Sequence, residues 1–109
     1  KICRIKYGSY TGNGKYGAAN AVSIECGFYP LLVVVSSSSS SHYWAVRGFD
    51  KFYYNNNREN EMTWGDTGVS WYYPQDDQYY SPSGNQMNAI DTTYYYLVLG
   101  YSNDGEQGN

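Results

Sequence analysis

Covalent chemistry in this chain would have to come from a small set of side chains: one histidine, two cysteines and ten acids among 109 residues. His42 stands beside the serine run at 36–41, but a nucleophile needs a base within hydrogen-bond reach and a third group to orient that base. Adjacency in sequence supplies neither, so His42 reads as an exposed loop residue. Asp66, Asp76, Asp77 and Asp91 are the acids open to a polysaccharide hydrolase. Paired catalytic carboxylates require a rigid frame at a set separation, whereas Asp76 and Asp77 are consecutive in a polar loop. None of these acids has the spacing of a calcium-binding loop, and Cys3 and Cys26 with a distant His42 are too few for a metal site. No cofactor motif is present, and the reading is that of a protein that is not an enzyme.

Non-covalent recognition is better supplied. Tyrosine is the compositional outlier, at 15 residues, and it concentrates in residues 69–88, VSWYYPQDDQYYSPSGNQMN. Val69 and Trp71 alternate with Ser70 as a half-buried strand does, and then Pro74, Pro82 and Gly84 forbid a continued strand or a long helix. The strand gives way to a displayed loop with the residue mixture of an antibody paratope, in which Tyr gives rigid contact area and Ser, Gly and Asn give adaptable hydrogen bonding. The candidate ligand-binding residues are Tyr72, Tyr73, Gln75, Asp76, Asp77, Tyr79, Tyr80, Ser81 and Asn85. A second loop of like composition adds Tyr53, Tyr54, Asn55, Asn56 and Asn57.

Positioning such loops needs a rigid frame, and the length suits one domain, residues 1–101, with a flexible C-terminal tail at 102–109. Abundant Tyr, Ser, Asn and Gly favour strands and turns over helices. Residues 1–49 carry Lys1, Arg4, Lys6, Lys15 and Arg47 against Glu25 alone, whereas the remainder sets Lys51 and Arg58 against nine acids. The acidic half holds the tyrosine loop, which would repel a phosphate backbone, so nucleic acid is not the expected partner. The longest apolar run is the five residues 31–35, too short for membrane insertion as a helix. The chain opens at Lys1, without a methionine or a signal-peptide pattern, and reads as a fragment of a longer polypeptide or a processed product.

Along the chain, the pattern predicts an all-β fold, an antiparallel β-sandwich of about seven to nine short strands. Residues 1–28 read as a hairpin around a glycine-rich turn, with Ile5 facing Ile24, Tyr7 facing Val22, Arg4 facing Glu25 and Cys3 facing Cys26 on the inner face. That juxtaposition permits a disulfide and equally permits two buried free thiols. Residues 31–35, β-branched and apolar throughout, predict a central strand covered on both faces. After the serine loop, a strand resumes over 42–49, and 52–54 extend or pair with it. Residues 61–64 and 69–73 form a hairpin that sets Trp64 against Val69 and Met62 against Trp71. A last hairpin joins 86–90 to 93–101 around Asp91 and Thr92. Its second strand has Tyr95, Leu97, Leu99 and Tyr101 on one face and Tyr94, Tyr96 and Val98 on the other. A two-layer sandwich buries only one face of each sheet, so this surplus implies a cover such as an adjacent chain.

Four stretches, GSYTGNGKYG (8–17), GFYP (27–30), MTWGDTGVSWY (62–72) and QMNAIDTTYYYLVLGY (86–101), resemble the small C-terminal β-sandwich domains of phage and prophage tail fibres. Asn20-Ala21 and Pro30-Leu31 depart from the Asn-Pro and Pro-Lys of that family. The resemblance implies a homotrimeric fibre tip on the virion that binds a host cell-surface protein or carbohydrate. The Tyr, Asn, Ser, Asp and His in the loops are also similar to what a diversity-generating retroelement leaves when it randomises adenines in Asn-type codons. Gln75, Gln78, Gln86 and Glu59 are not products of such codons, which confines any diversification to some loop positions. Three functions stand as expectations: a receptor-binding module with a diversifiable paratope, a structural module that trimerises a fibre without touching a receptor, and an enzyme acting on surface polysaccharide.

Overall fold

The computed structural model describes residues 1–38, 41–48, 51–55, 58–74 and 81–103, the side chains of 51–55 and 58 excepted. Eight strands form two antiparallel sheets: β1 (Ile2–Thr11), β2 (Val22–Glu25), β3 (Tyr29–Ser37), β4 (His42–Val46), β5 (Lys51–Asn55), β6 (Arg58–Trp64), β7 (Gly68–Tyr72) and β8 (Thr93–Ser102). One sheet has the order β1-β8-β3-β4 and the other β2-β7-β6-β5, the sandwich that the strand pattern predicts. A 3₁₀ turn at Ala18–Asn20 and a single helical turn, α1 (Pro82–Asn85), complete the described elements. No helix among them is long and apolar enough to cross a membrane.

The hairpin of β6 and β7 has the register expected of it, Trp64 opposite Val69 and Met62 opposite Trp71. Residues 1–28 do not form a hairpin. β1 pairs instead with β8, so Ile5 meets Leu99, Tyr7 meets Leu97, Arg4 meets Gly100 and Cys3 meets Tyr101. β2 crosses to the other sheet and pairs with β7, Val22 against Trp71 and Ile24 against Val69. The reason is length: β1 and β8 are ten residues each and satisfy ten pairs, whereas a local hairpin could offer β1 only the four residues of β2. Both cysteines are consequently free thiols, and Cys3 is exposed rather than on the inner face.

β3 is central in its sheet, bonded to both β4 and β8, but only one of its faces is buried. Val33 and Val35 are fully buried, whereas Leu32 and Val34 on the other face are half-exposed. Pro30, which cannot donate to the ladder, sits at a register shift opposite Gly100, the position at which a sheet tolerates proline. β4 ends at Val46, earlier than the expected 49, and 51–55 join β6 in the second sheet rather than β4. The predicted strand at 86–90 is absent. Ser81 caps α1, its side chain accepting from Gly84 N at 3.1 Å with Pro82 in the first turn. Positive φ at Met87 (61°) and Asp91 (57°) then keeps the backbone from extending.

Between the sheets lies one core, built from Val22, Ile24, Val69 and Trp71 on one side and Val33, Val35, Ala45 and Val98 on the other. Arg47 ties the sheets together at one end. Its guanidinium donates to Pro30 O (2.8 Å), the Tyr29 hydroxyl (2.9 Å) and Gly65 O, and lies 3.7 Å from the Tyr29 ring centroid.

The two outward faces differ in kind. On the β2-β7-β6 side, Ser23, Ser70, Thr63, Glu25 and Glu61 alternate with the core residues, as a solvated face should. On the other sheet, Tyr7, Leu97, Val34 and Trp44 form one cross-strand row and Ile5, Leu99, Leu32 and Val46 the next.

A Cβ on Gly100 would overlap the Tyr29 carbonyl oxygen and crowd Pro30 Cα at 2.9 Å, backbone atoms that cannot step aside. Gly100→Ala is expected to cost about 3 kcal/mol, read as a lowered urea midpoint with an unchanged m-value.

Candidate functional site

Because the strands alternate in direction, the connections fall at two poles. Thr11, Val22, Ser37, His42, Asn55, Arg58, Tyr72 and Thr93, the strand ends flanking 12–21, 38–41, 56–57 and 73–92, all lie at one pole. The described residues that flank the two stretches with paratope composition therefore lie at the same end, because the start of β6 and the end of β7 belong to one hairpin. Ile2 and Ser102 lie at the opposite pole, paired with each other.

What holds this pole is a set of buried amides. The Gln86 side chain, fully buried, accepts from Gly17 N at 2.9 Å and Tyr73 N at 2.8 Å and donates to Asn20 O at 2.8 Å. Its backbone carbonyl accepts from the Trp71 indole at 2.9 Å. Asn88 does the same for the first connection, donating to Asn13 Oδ1 (2.7 Å) and Lys15 O (2.9 Å). Asn60, near the start of β6, donates to Asn85 O at 2.8 Å, which ties β6 to the connection between β7 and β8. Such bonds are worth about 1 kcal/mol each when made and cost more when one side is left unpaired in the interior.

Tyrosines supply the rest of the foundation. Tyr10 stacks on Tyr94 with ring centroids 5.1 Å apart and donates to Met87 O at 2.9 Å. That bond fixes the left-handed Met87, a conformation costly for a side chain with a Cβ. Burial, and secondarily the Tyr94 hydroxyl, push the Tyr10 pKa far above the usual phenol value, so Tyr10 stays a donor.

Of the sequence-predicted site residues, Tyr72 is half-buried and Ser81 is exposed as the cap of α1. Tyr73 and Asn85 are buried and thus belong to the foundation rather than the displayed surface. Tyr73 Oη and Asn85 Nδ2 have no hydrogen-bond partner among the described residues. Tyr53, Tyr54 and Asn55 lie in β5, their side chains outside the description. Asn56, Asn57, Gln75, Asp76, Asp77, Tyr79 and Tyr80 lie outside the described residues. Between the β3 and β4 ends and the β7–β8 connection is a cavity of about 140 Å³ lined by Ser37, Ser41, Tyr43, Gly84, Ala89 and Thr92 among others, room for a small polar group.

The sequence pattern places Gln86 and Asn88 in a strand at 86–90 and gives none of Gln86, Asn88 and Asn60 a role at this pole. Only Ser81-Pro82, a cap residue followed by proline, signalled local order there. His42, the exposed first residue of β4, places Nδ1 at 2.8 Å from Ser36 Oγ across the strand pair. No described group orients the ring's other nitrogen, and the contact serves as a cross-strand pair. No cluster of three or more potential metal ligands forms among the described residues. Protein-family models, curated proteins and solved structures gave no match to this chain.

Two outcomes are expected from this foundation. Gln86→Ala strands Gly17 N and Tyr73 N and should cost about 3 kcal/mol, lowering the melting temperature by roughly 10–20 °C. Tyr10 retains its proton when folded, whereas the unfolded chain releases it near pH 10, so its stabilisation is complete below about pH 10 and is lost as pH rises above it. Tyr10→Phe should flatten the alkaline fall in unfolding free energy, measured by urea titration at stepped pH.

Proposed function

We propose that this domain is a binding module that presents its loop pole to a cell-surface protein or glycan, in the manner of a phage tail-fibre tip. The observation that carries this reading is the convergence of the strand ends flanking every Tyr-, Asn- and Ser-rich connection at one pole, over a clamp of buried amides. A paratope needs adaptable side chains on an unyielding base, and Gln86 and Asn88 provide such a base. With Ile2 and Ser102 paired at the far pole, the start of β1 and the end of β8 stand clear of the loops.

A second reading, a structural module that assembles copies without contacting a receptor, draws on the apolar outer face of the β1-β8-β3-β4 sheet. Changing Tyr79 and Tyr80 together to Ala separates the two. Under the binding reading, adsorption to host cells or glycan arrays falls at least about tenfold, the effect of losing one or two aromatic anchors, while the thermal transition and oligomer mass stay as in the wild type. Unchanged adsorption would sink the role of this loop, and loss of the oligomer would favour the structural module.

A further inference from the structure

We infer that the outer face of the β1-β8-β3-β4 sheet is the interface with a second copy of this chain, packed sheet on sheet about a two-fold axis parallel to the strands, in place of the three-fold assembly that the tail-fibre resemblance implies. The contrast between the two outward faces carries the inference. Both sheets belong to one sandwich, yet only the β2-β7-β6 face has the polar alternation that water selects. On the other, Tyr7 is 78 % exposed and Trp44 66 % exposed, and Ile5 and Tyr95 stand clear of the surface beside them. Cross-strand pairing makes these residues continuous: Tyr7, Leu97, Val34 and Trp44 run unbroken from one edge of the sheet to the other. No Asp, Glu, Lys or Arg stands in that row or in the neighbouring row of Ile5, Leu99, Leu32 and Val46. Charge depletion with aromatic enrichment marks the buried centre of an interface. Lone exposed apolar residues are ordinary, but a contiguous patch of this size is not.

Area, charge and shape identify the occupant. Four strands spaced by roughly 4.8 Å and four alternate positions spaced by roughly 6.8 Å give a face on the order of 500 Å² in plan. The relief of the aromatic side chains adds accessible area to that plan figure, where a stable interface takes roughly 800 Å² per partner. The two apolar rows carry no charge, and Lys1 lies at the rim, 4.6 Å from the Tyr101 ring centroid, so the centre of the face meets its own copy without like-charge repulsion, which an isologous contact demands. A cavity of about 280 Å³ bordered by Tyr7, Val34, Ser36, Tyr95 and Leu97 sits on this sheet, while Trp44 projects from β4 at the far edge. A two-fold parallel to the strands exchanges the two edges and keeps the rows level, so Trp44 of each copy meets the Tyr7–Leu97 side of the other. The same axis points both loop poles in one direction. The assembly is then bivalent, and its adhesion to a surface gains from effective concentration rather than from new contacts.

Sedimentation equilibrium across the micromolar range tests this. The wild type is expected at twice the chain mass, and Tyr7→Glu with Trp44→Glu should weaken association by about a hundredfold or more with the far-ultraviolet spectrum of a folded sandwich. Ser23→Glu with Thr63→Glu, on the polar face, should leave the dimer as it is. A wild type that stays monomeric, assembles in threes, or keeps its dimer with both glutamates in place overturns the inference, as does a monomer that floats with phosphatidylcholine vesicles. Cys3 lies on this face beside Tyr101 and gives a readout that needs no folded variant. Its alkylation rate in the wild type, mapped by mass spectrometry, should fall as concentration rises while that of Cys26 holds constant. Equal behaviour of the two thiols overturns the proposal.

Discussion

One buried amide sets the conditions for the rest. The Gln86 side chain joins three backbone groups from two separate parts of the chain, Gly17 and Asn20 of one turn and Tyr73 just past the end of β7, and its backbone carbonyl accepts from the Trp71 indole. Glutamine is suited to this because one end accepts twice and the other donates; no apolar residue of equal volume could do so. The described residues of the connection between β7 and β8, 73–74 and 81–92, lack a sheet ladder of their own, and without partners their backbone amides could not stay inside. The clamp thus allows a long non-repetitive stretch to cover the core, and it fixes where that stretch begins and ends.

The same clamp separates two jobs within what looks like a single tyrosine-rich loop. Tyr73 and Asn85 face inward and Ser81 caps a helical turn, so the roots of the loop are foundation. Tyrosine itself divides in the same way. Tyr10 and Tyr94 stack and bond beneath the pole, whereas Tyr7 and Tyr95 stand in the solvent on the outer sheet face. Composition alone cannot tell these apart, since one residue type serves core, interface and ligand contact by turning its polar tip toward whatever is there.

Much of the frame was legible in the sequence. Alternation with period two exposed β6, β7 and β8 and their faces, and the short turn at Gly65 fixed one register outright. Long-range pairing was not legible. Cys3, Ile5 and Tyr7 suit either Cys26, Ile24 and Val22 or Tyr101, Leu99 and Leu97, and only the ten-pair ladder available to β8 decides between them. The loop pole was half legible: Tyr and Asn loops announced themselves, but Gln86, Asn88 and Asn60 look like loop residues until their buried partners are known. That no described residue would cover Leu32 and Val34 was hidden too, because a strand buried by its own fold and one awaiting another surface have the same apolar run.

The β1–β8 ladder bears on how the domain carries mechanical load. Ile2 and Ser102 share one end of it, and Thr11 and Thr93 share the other, at the loop pole. Tension between Ile2 and the loop pole runs along the strands, so the ten paired positions are strained together in shear. Tension between Ile2 and Ser102 would instead peel them apart one at a time, as a zipper opens. Load applied at the loop pole therefore pulls on the longest ladder in the direction in which that ladder resists best.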